Sequence, residues 1–249
     1  MDQKRLLSYV RQAVDDYGLL DDQDQVAVGI SGGKDSLTLL YALKQLQRFY
    51  PKRFTLTAFT VHLGFKELHL EPVKDFCEAL EVPYEVIQTQ INTIVFGHHP
   101  AENPCSLCAR LRKGALNEAA VRHGCNKVAY GHHRDDLIET MLMSLFYEGR
   151  FHSFSPKTDW ERTGLTLIRP LLYVPEAELT GFQKKYRIPA VQNLCPANGH
   201  TKRQYIKELL RTLNTENPGI KNRMFAAIRS ACFDDWPERQ VSTDGKIIS

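Results

Sequence analysis

Apolar residues along this chain recur with two periods, and the switching between them predicts the order of elements. Leu6, Leu7, Val10, Val14 and Tyr17 share one face of a helix over residues 2–17, with Gly18 as its stop. A polar loop, Asp21-Asp22-Gln23-Asp24, leads into an apolar run at 26–30 with the length and β-branched content of a buried strand. A helical stripe follows at once through Leu37, Leu39, Leu40, Leu43 and Leu46. Further strands are predicted at 54–61, 83–87, 127–130 and 165–172, and further helices at 71–80, 107–122 and 137–147, the last rich in Leu and Met and read as buried. Pro175, with Glu176 and Glu178 behind it, marks another helix start. Two more helices are expected over 201–213 and 218–233, then a disordered tail from Pro237. Residues 151–160 are aromatic and polar without clear period. Residues 88–104, which include Gly97-His98-His99-Pro100, read as an exposed, mobile loop. Strand and helix alternating in this way predict an α/β fold: a doubly wound, mainly parallel sheet with a helical C-terminal part.

The first predicted strand ends in Ser31-Gly32-Gly33-Lys34-Asp35-Ser36, and a helix begins there. Glycines let the backbone approach a ligand without a Cβ in the way. Successive N–H groups and the helix dipole then make an anion site. The spacing is not G-x-x-x-x-G-K-[ST], because Lys34 is followed by Asp35. A carboxylate beside a phosphate cradle suits a divalent cation, so Asp35 is a candidate magnesium ligand. An ordinary strand-to-helix turn is the bland alternative.

Composition narrows the setting. A net charge of +3 neither demands nor excludes a nucleic-acid partner, so such a partner needs a local basic patch. No apolar run approaches the ~20 residues of a membrane span. The start, Met-Asp-Gln-Lys-Arg, leads into an amphipathic pattern, and a cytoplasmic protein is expected. Six cysteines in such a chain point to metal or redox use rather than a disulfide framework.

Three further constellations carry chemistry. Gly131-His132-His133-Arg134-Asp135-Asp136 follows the strand at 127–130, and ligands in open α/β sheets sit beyond the carboxyl ends of strands. If that strand neighbours the first, the cluster faces the glycine loop. Asp135 or Asp136 could then join Asp35 at magnesium, and the histidines could touch a nucleotide; alternatively one aspartate caps the next helix. His62, closing the strand at 54–61, is a further nucleotide contact. Cys105-x-x-Cys108 with the distant Cys195 could hold zinc or an iron–sulfur cluster, with His98, His99 or His200 as a fourth ligand, or act in redox chemistry. Cys77, Cys125 and Cys232 read as structural. Arg203, Lys207 and Arg211 recur at i+4 on one helix face, and Arg112 and Lys113 follow the cysteine pair; both are candidate RNA contacts, a solvated face being the usual meaning of such a run.

Ser31 to Ser36 resembles the SGGxDS signature of the PP-loop ATP pyrophosphatases. Together with Pro104-Cys-Ser-Leu-Cys-Ala-Arg-Leu-Arg-Lys-Gly114, Gly131 to Asp136, Arg169-Pro170-Leu171 and the late cysteine, the chain resembles the tRNA 2-thiocytidine synthetase family over residues 25–232. That resemblance implies ATP cleavage between the α and β phosphates, with AMP placed on cytidine 32 of a tRNA and then replaced by sulfur. It implies that Ser31, Gly32, Gly33, Lys34, Asp35 and Ser36 bind ATP and magnesium, with Gly131, His132 and Asp136 beside the nucleotide and Asp35, Lys34 and Asp135 catalytic. It implies a 4Fe–4S cluster on Cys105, Cys108 and Cys195, and as partners tRNA and a cysteine desulfurase or other sulfide donor, with a homodimer left open. Two departures stand out: the chain is short, and Cys195 continues as Pro-Ala-Asn-Gly where Cys-Gly-Ser is expected. A PP-loop ligase with structural zinc and a non-catalytic RNA adaptor are the rival readings. The expected division is a PP-loop domain over 1–174, a helical part over 175–236 and a tail over 237–249.

Overall fold

A computed structural model describes residues 1–65, 69–97, 104–191, 195, 202–231 and 236–237. The strands β1 (Asp24–Gly29), β2 (Phe54–His62), β3 (Tyr84–Gln88), β4 (Lys127–Ala129), β5 (Lys157–Trp160) and β6 (Leu165–Ile168) form one sheet in the order β3-β2-β1-β4-β6-β5. Every neighbouring pair is parallel except β5 with β6. The chain runs outward from β1 to one edge, then returns to add β4 on the other side. The carboxyl ends of β1 and β4 therefore flank the switch point of the sheet, where α/β folds bind ligands.

The helices are α1 (Gln3–Tyr17), α2 (Lys34–Leu46), α3 (Glu71–Ala79), α4 (Ile91–Phe96), α5 (Pro104–Arg122), α6 (Arg134–Glu148), α7 (Glu176–Tyr186), α8 (Lys202–Glu216) and α9 (Ile220–Ser230). The amphipathic stripe of α1 buries Leu6, Val10, Val14 and Tyr17, and Gly18 ends the helix in the left-handed region, as predicted. The helix α2 is buried on almost every side because sheet, α1 and α7 surround it. One core joins these helices to one face of the sheet and extends through α6 to α9. A smaller cluster (Phe59, Leu116, Ala120, Val128, Leu165) seats α5 on the opposite face.

Four expectations are corrected. Residues 91–96, expected within a mobile loop, form α4, because Ile91 and Val95 at i, i+4 are buried beside α5; residues 98–103 lie outside the described region. Residues 157–160 form β5, a hairpin with β6 whose turn places Gly164 at φ +67; its sequence Lys-Thr-Asp-Trp has no apolar alternation. The strand at 165–172 ends at Ile168, where Arg169 and Pro170 turn the chain out of the sheet. The apolar end of α6 is not buried: Leu145, Phe146 and Tyr147 project beyond the core. Cys77 and Cys125 are buried, as expected of structural residues, whereas Cys232 lies outside the described region. Among the described residues no helix is long and apolar enough to cross a membrane.

Candidate active site

The glycine loop between β1 and α2 is folded by its own serines. Ser36 Oγ donates to the Gly33 carbonyl at 3.0 Å and accepts from the Ser31 amide at 3.1 Å, and the Gly33 amide donates to Ser31 Oγ at 3.3 Å. Gly32 takes φ +81, a conformation that disfavours any side chain. Gly33 is the N-cap of α2 and supplies no side-chain cap, so the first-turn amides of that helix face outward for an anion.

The loop after β4 lies directly against this turn. A Cβ on Gly131 would stand 3.0 Å from Ser36 N and 3.1 Å from Asp35 C and Ser36 Cα. Only glycine lets the two chemical motifs approach so closely. Between them and α5 lies a cavity of about 430 Å³. Ser31, Asp35 and Ser36 form one wall, Ala109, Arg112 and Lys113 of α5 another, and Tyr130, His132, Trp160 and Arg169 the inner end.

Arg169 and Trp160 were not predicted as site residues. Arg169 Nε donates to His132 Nδ1 at 3.4 Å, its guanidinium lies 4.7 Å from the Phe154 ring centre, and it bonds the Ser155 carbonyl. His132 lies in tilted contact with the Tyr130 and Phe154 rings, at 5.8 and 5.1 Å between ring centres. Burial first, and then Arg169, push its pKa down to about 4. The ring is therefore neutral near pH 7, with Nδ1 accepting and Nε2 protonated. The sequence held two signals for Arg169: the Arg169-Pro170-Leu171 motif, and its place directly after β6, at the same sheet end as the loops after β1 and β4. Lys113 Nζ lies 3.7 Å from the Trp160 ring centre. Burial, then Arg169, push its pKa down.

The remaining predicted residues take other places. Lys34 Nζ bonds both oxygens of Asp35, at 2.9 and 3.0 Å, and lies 3.6 Å from Glu176. His62 spends Nδ1 on the Gly64 amide, and Val61 rather than His62 lines the cavity. Asp136 closes a capping box with His133 at the start of α6, the helix-capping alternative for this pair of aspartates. Asp135 is buried away from the cavity: it accepts from Lys221 Nζ and the Glu176 amide, both at 2.8 Å. Burial pushes its pKa up, but these bonds outweigh it and hold the carboxyl below its ordinary value. Its expected pairing with Asp35 is thus replaced by a link to α7 and α9.

Nor is the basic stripe of α8 a uniform solvated face. Arg203 pairs with Glu139 at 3.2 Å and Lys207 with Glu176, so both clamp α8 to α6 and α7. Arg211 stays exposed. Glu139 was also missed; burial, then Asp136, push its pKa up against the pull of Arg203.

Cys105 is exposed, and Cys108 and Cys195 are partly buried. Burial pushes the Cys108 thiol up, Arg112 draws it down, and Cys195 and Cys105 both push it up. Among the described residues, no three His, Cys, Asp or Glu side chains are close enough to hold a single metal ion. His98, His99 and His200 lie outside the described residues. The three thiols are all soft donors, which suit iron–sulfur or zinc rather than a hard cation.

A self-braced glycine loop at a sheet switch point, closed by the β4 loop, defines a PP-loop domain, and the family model of that description matches residues 3–213. A tRNA-cytidine(32) 2-sulfurtransferase from Geobacter metallireducens is 36% identical over 228 residues, covering 90% of this chain and 89% of its own. One from Pelobacter propionicus is 38% identical over 228 residues, covering 90% and 85%. The chain belongs to the tRNA-cytidine(32) 2-sulfurtransferase family of PP-loop proteins. Its fold matches that of the U34-tRNA thiolase NcsA from Methanococcus maripaludis, solved with its 4Fe–4S cluster, at a TM-score of 0.71 and 24% identity, over 91% of this chain and 77% of that one.

Proposed function

We propose that the protein is an ATP-dependent tRNA sulfurtransferase acting on cytidine 32, in the cytoplasm, as a monomer or homodimer. Sulfur comes from a cysteine desulfurase or another sulfide donor. One observation carries the reading: a single cavity joins the phosphate-binding turn to the helix that bears the cysteine pair. Cys105 and Cys108 lie one helical turn before Ala109 and Arg112, which line that cavity.

In this reading the outward amides of α2 and the backbone at Gly32 and Gly33 hold pyrophosphate, and Asp35 holds magnesium, which frees Lys34 to meet phosphate oxygens. Arg112, Lys113 and Arg169 offset the negative charge that develops as the base oxygen attacks the α-phosphorus. His132 donates from Nε2. Pyrophosphate leaves with its electron pair, and sulfide then displaces AMP, which keeps the original base oxygen. Cys105, Cys108 and Cys195 would hold a 4Fe–4S cluster, which when bound supplies a soft site for sulfide. Residues 1–174 carry the nucleotide and Cys105-Cys108 chemistry, and the helical part over 175–236 supplies Cys195 and braces the site through Glu176, Lys207 and Lys221.

Anaerobic purification tests the metal. Brown protein with iron and acid-labile sulfide is expected, with both lost in Cys105→Ala, Cys108→Ala and Cys195→Ala and both kept in Cys77→Ala and Cys125→Ala. Colourless protein with stoichiometric zinc would overturn the cluster in favour of a structural metal. Colourless, metal-free and active protein would replace it with persulfide chemistry on a cysteine.

A further inference from the structure

Five large apolar side chains at the end of α6, just after it and near the start of α8 are exposed: Leu145, Phe146, Tyr147, Phe151 and Tyr205, each 44–58% exposed. Scattered surface aromatics need no explanation, but a concentrated set does. Lys202 ties the two helices together at this point, with Nζ 4.5 Å from the Tyr147 ring centre. Tyr205 lies three residues further on, on the same face of α8 as Lys202. Arg203 also links α8 to Glu139 and Thr140 of α6.

We propose that Tyr147, Tyr205 and Lys202 form a stacking platform for unpaired bases of the tRNA anticodon loop. The proposal rests on the tRNA-thiolating reading above. Single-stranded RNA is bound by aromatic faces that take the bases and cations that take the phosphates. Here the rings carry polar edges, Lys202 stands against Tyr147, and the exposed Arg150 follows three residues later in sequence. That charge favours a polyanion over a second apolar protein surface. The location fits too. Seven peptide steps separate Cys195 from Lys202, so the platform starts within about 25 Å of the cysteine site by chain length alone.

The test compares tRNA with a fully paired RNA duplex of matched phosphate number, each titrated against the wild type and Tyr147→Ala/Tyr205→Ala. Stacking is worth roughly 5- to 150-fold in affinity per ring, so removal of both should cost about 30-fold or more. The double variant should lose that factor for tRNA and nothing for the duplex, with thermal stability and ATP binding unchanged. Tyr147→Phe should retain wild-type affinity. Lys202→Ala should lower the salt slope of tRNA binding by about 0.7. Equal tRNA affinity in wild type and double variant would overturn the platform. So would sedimentation showing a wild-type dimer that the double variant disperses without losing tRNA affinity, since the face would then bind a second copy. A wild type that binds no tRNA would instead sink the functional reading on which the platform rests.

Discussion

Replacing Gly131 by alanine perturbs the site at the point where its two motifs touch. A new Cβ would sit 3.0 Å from Ser36 N and 3.1 Å from Asp35 C and Ser36 Cα. Carbon atoms in ordinary contact stand about 3.5–4.0 Å apart, so the loop after β4 and the first turn of α2 must separate by roughly half an ångström. All three obstructing atoms are backbone, and no rotamer change relieves them. Gly131 is not among the positive-φ glycines, so the effect is one of close approach rather than backbone strain. Overpacking of this kind destabilises by about 1–3 kcal/mol, which for a chain this size lowers Tm by about 2–12 °C. The larger effect is chemical. A misplacement of 1 Å can cost about a hundredfold in rate, so a shift of half that should lower kcat/KM for ATP about tenfold. Pyrophosphate release with magnesium, ATP and tRNA reads the rate, and thermal unfolding reads stability. Gly114→Ala serves as the control. It lies inside α5 with nothing within 4 Å of a new Cβ, so it should stabilise by up to about 1 kcal/mol. Wild-type kinetics and Tm in Gly131→Ala would refute the claim that this contact sets the geometry.

Other predictions follow from single contacts. His132 has a depressed pKa, about 4 when folded against 6.5 unfolded, so its part of the stability is complete above pH 6.5 and declines as pH falls towards 4; denaturant unfolding across that window should show a shallower decline in His132→Gln. Lys127 is buried with Asp24 at 2.7 Å, and Lys127→Met should destabilise by about 3–5 kcal/mol by leaving that carboxylate unpaired, measured by urea unfolding. Arg211→Ala should reduce the salt slope of tRNA binding by about 0.7–0.9, whereas Lys207→Ala, whose partner is Glu176, should lower Tm and leave the slope unchanged.

The sheet and the glycine loop were legible because local patterns specify them. The β-branched run before Ser31, the leucine stripe after it and the alternation of periods led to a parallel sheet with β4 beside β1. Features made by long-range packing were not legible. Lys157 to Trp160 carries no alternation, and only pairing with β6 makes it a strand. The contact of His132, Phe154 and Arg169 joins three separated segments, and although His132 and Arg169 each lie in a motif, spacing alone does not bring them together. Sequence spacing put Arg203, Lys207 and Arg211 on one face but could not reveal that Glu139 and Glu176 wait on α6 and α7 to neutralise two of them. For Asp135 and Asp136 the spacing was equally compatible with metal binding and with helix capping. The capping box and the bond to Lys221 favour a structural role.

The most direct test of the central claim is nucleoside mass spectrometry of unmodified tRNA after incubation with the anaerobically purified protein, ATP, magnesium and sulfide. The account predicts 2-thiocytidine, formed with one AMP and one pyrophosphate per sulfur and lost in Asp35→Ala and Cys195→Ala. Unchanged cytidine in a cluster-loaded preparation, or ADP and phosphate as the nucleotide products, would contradict it.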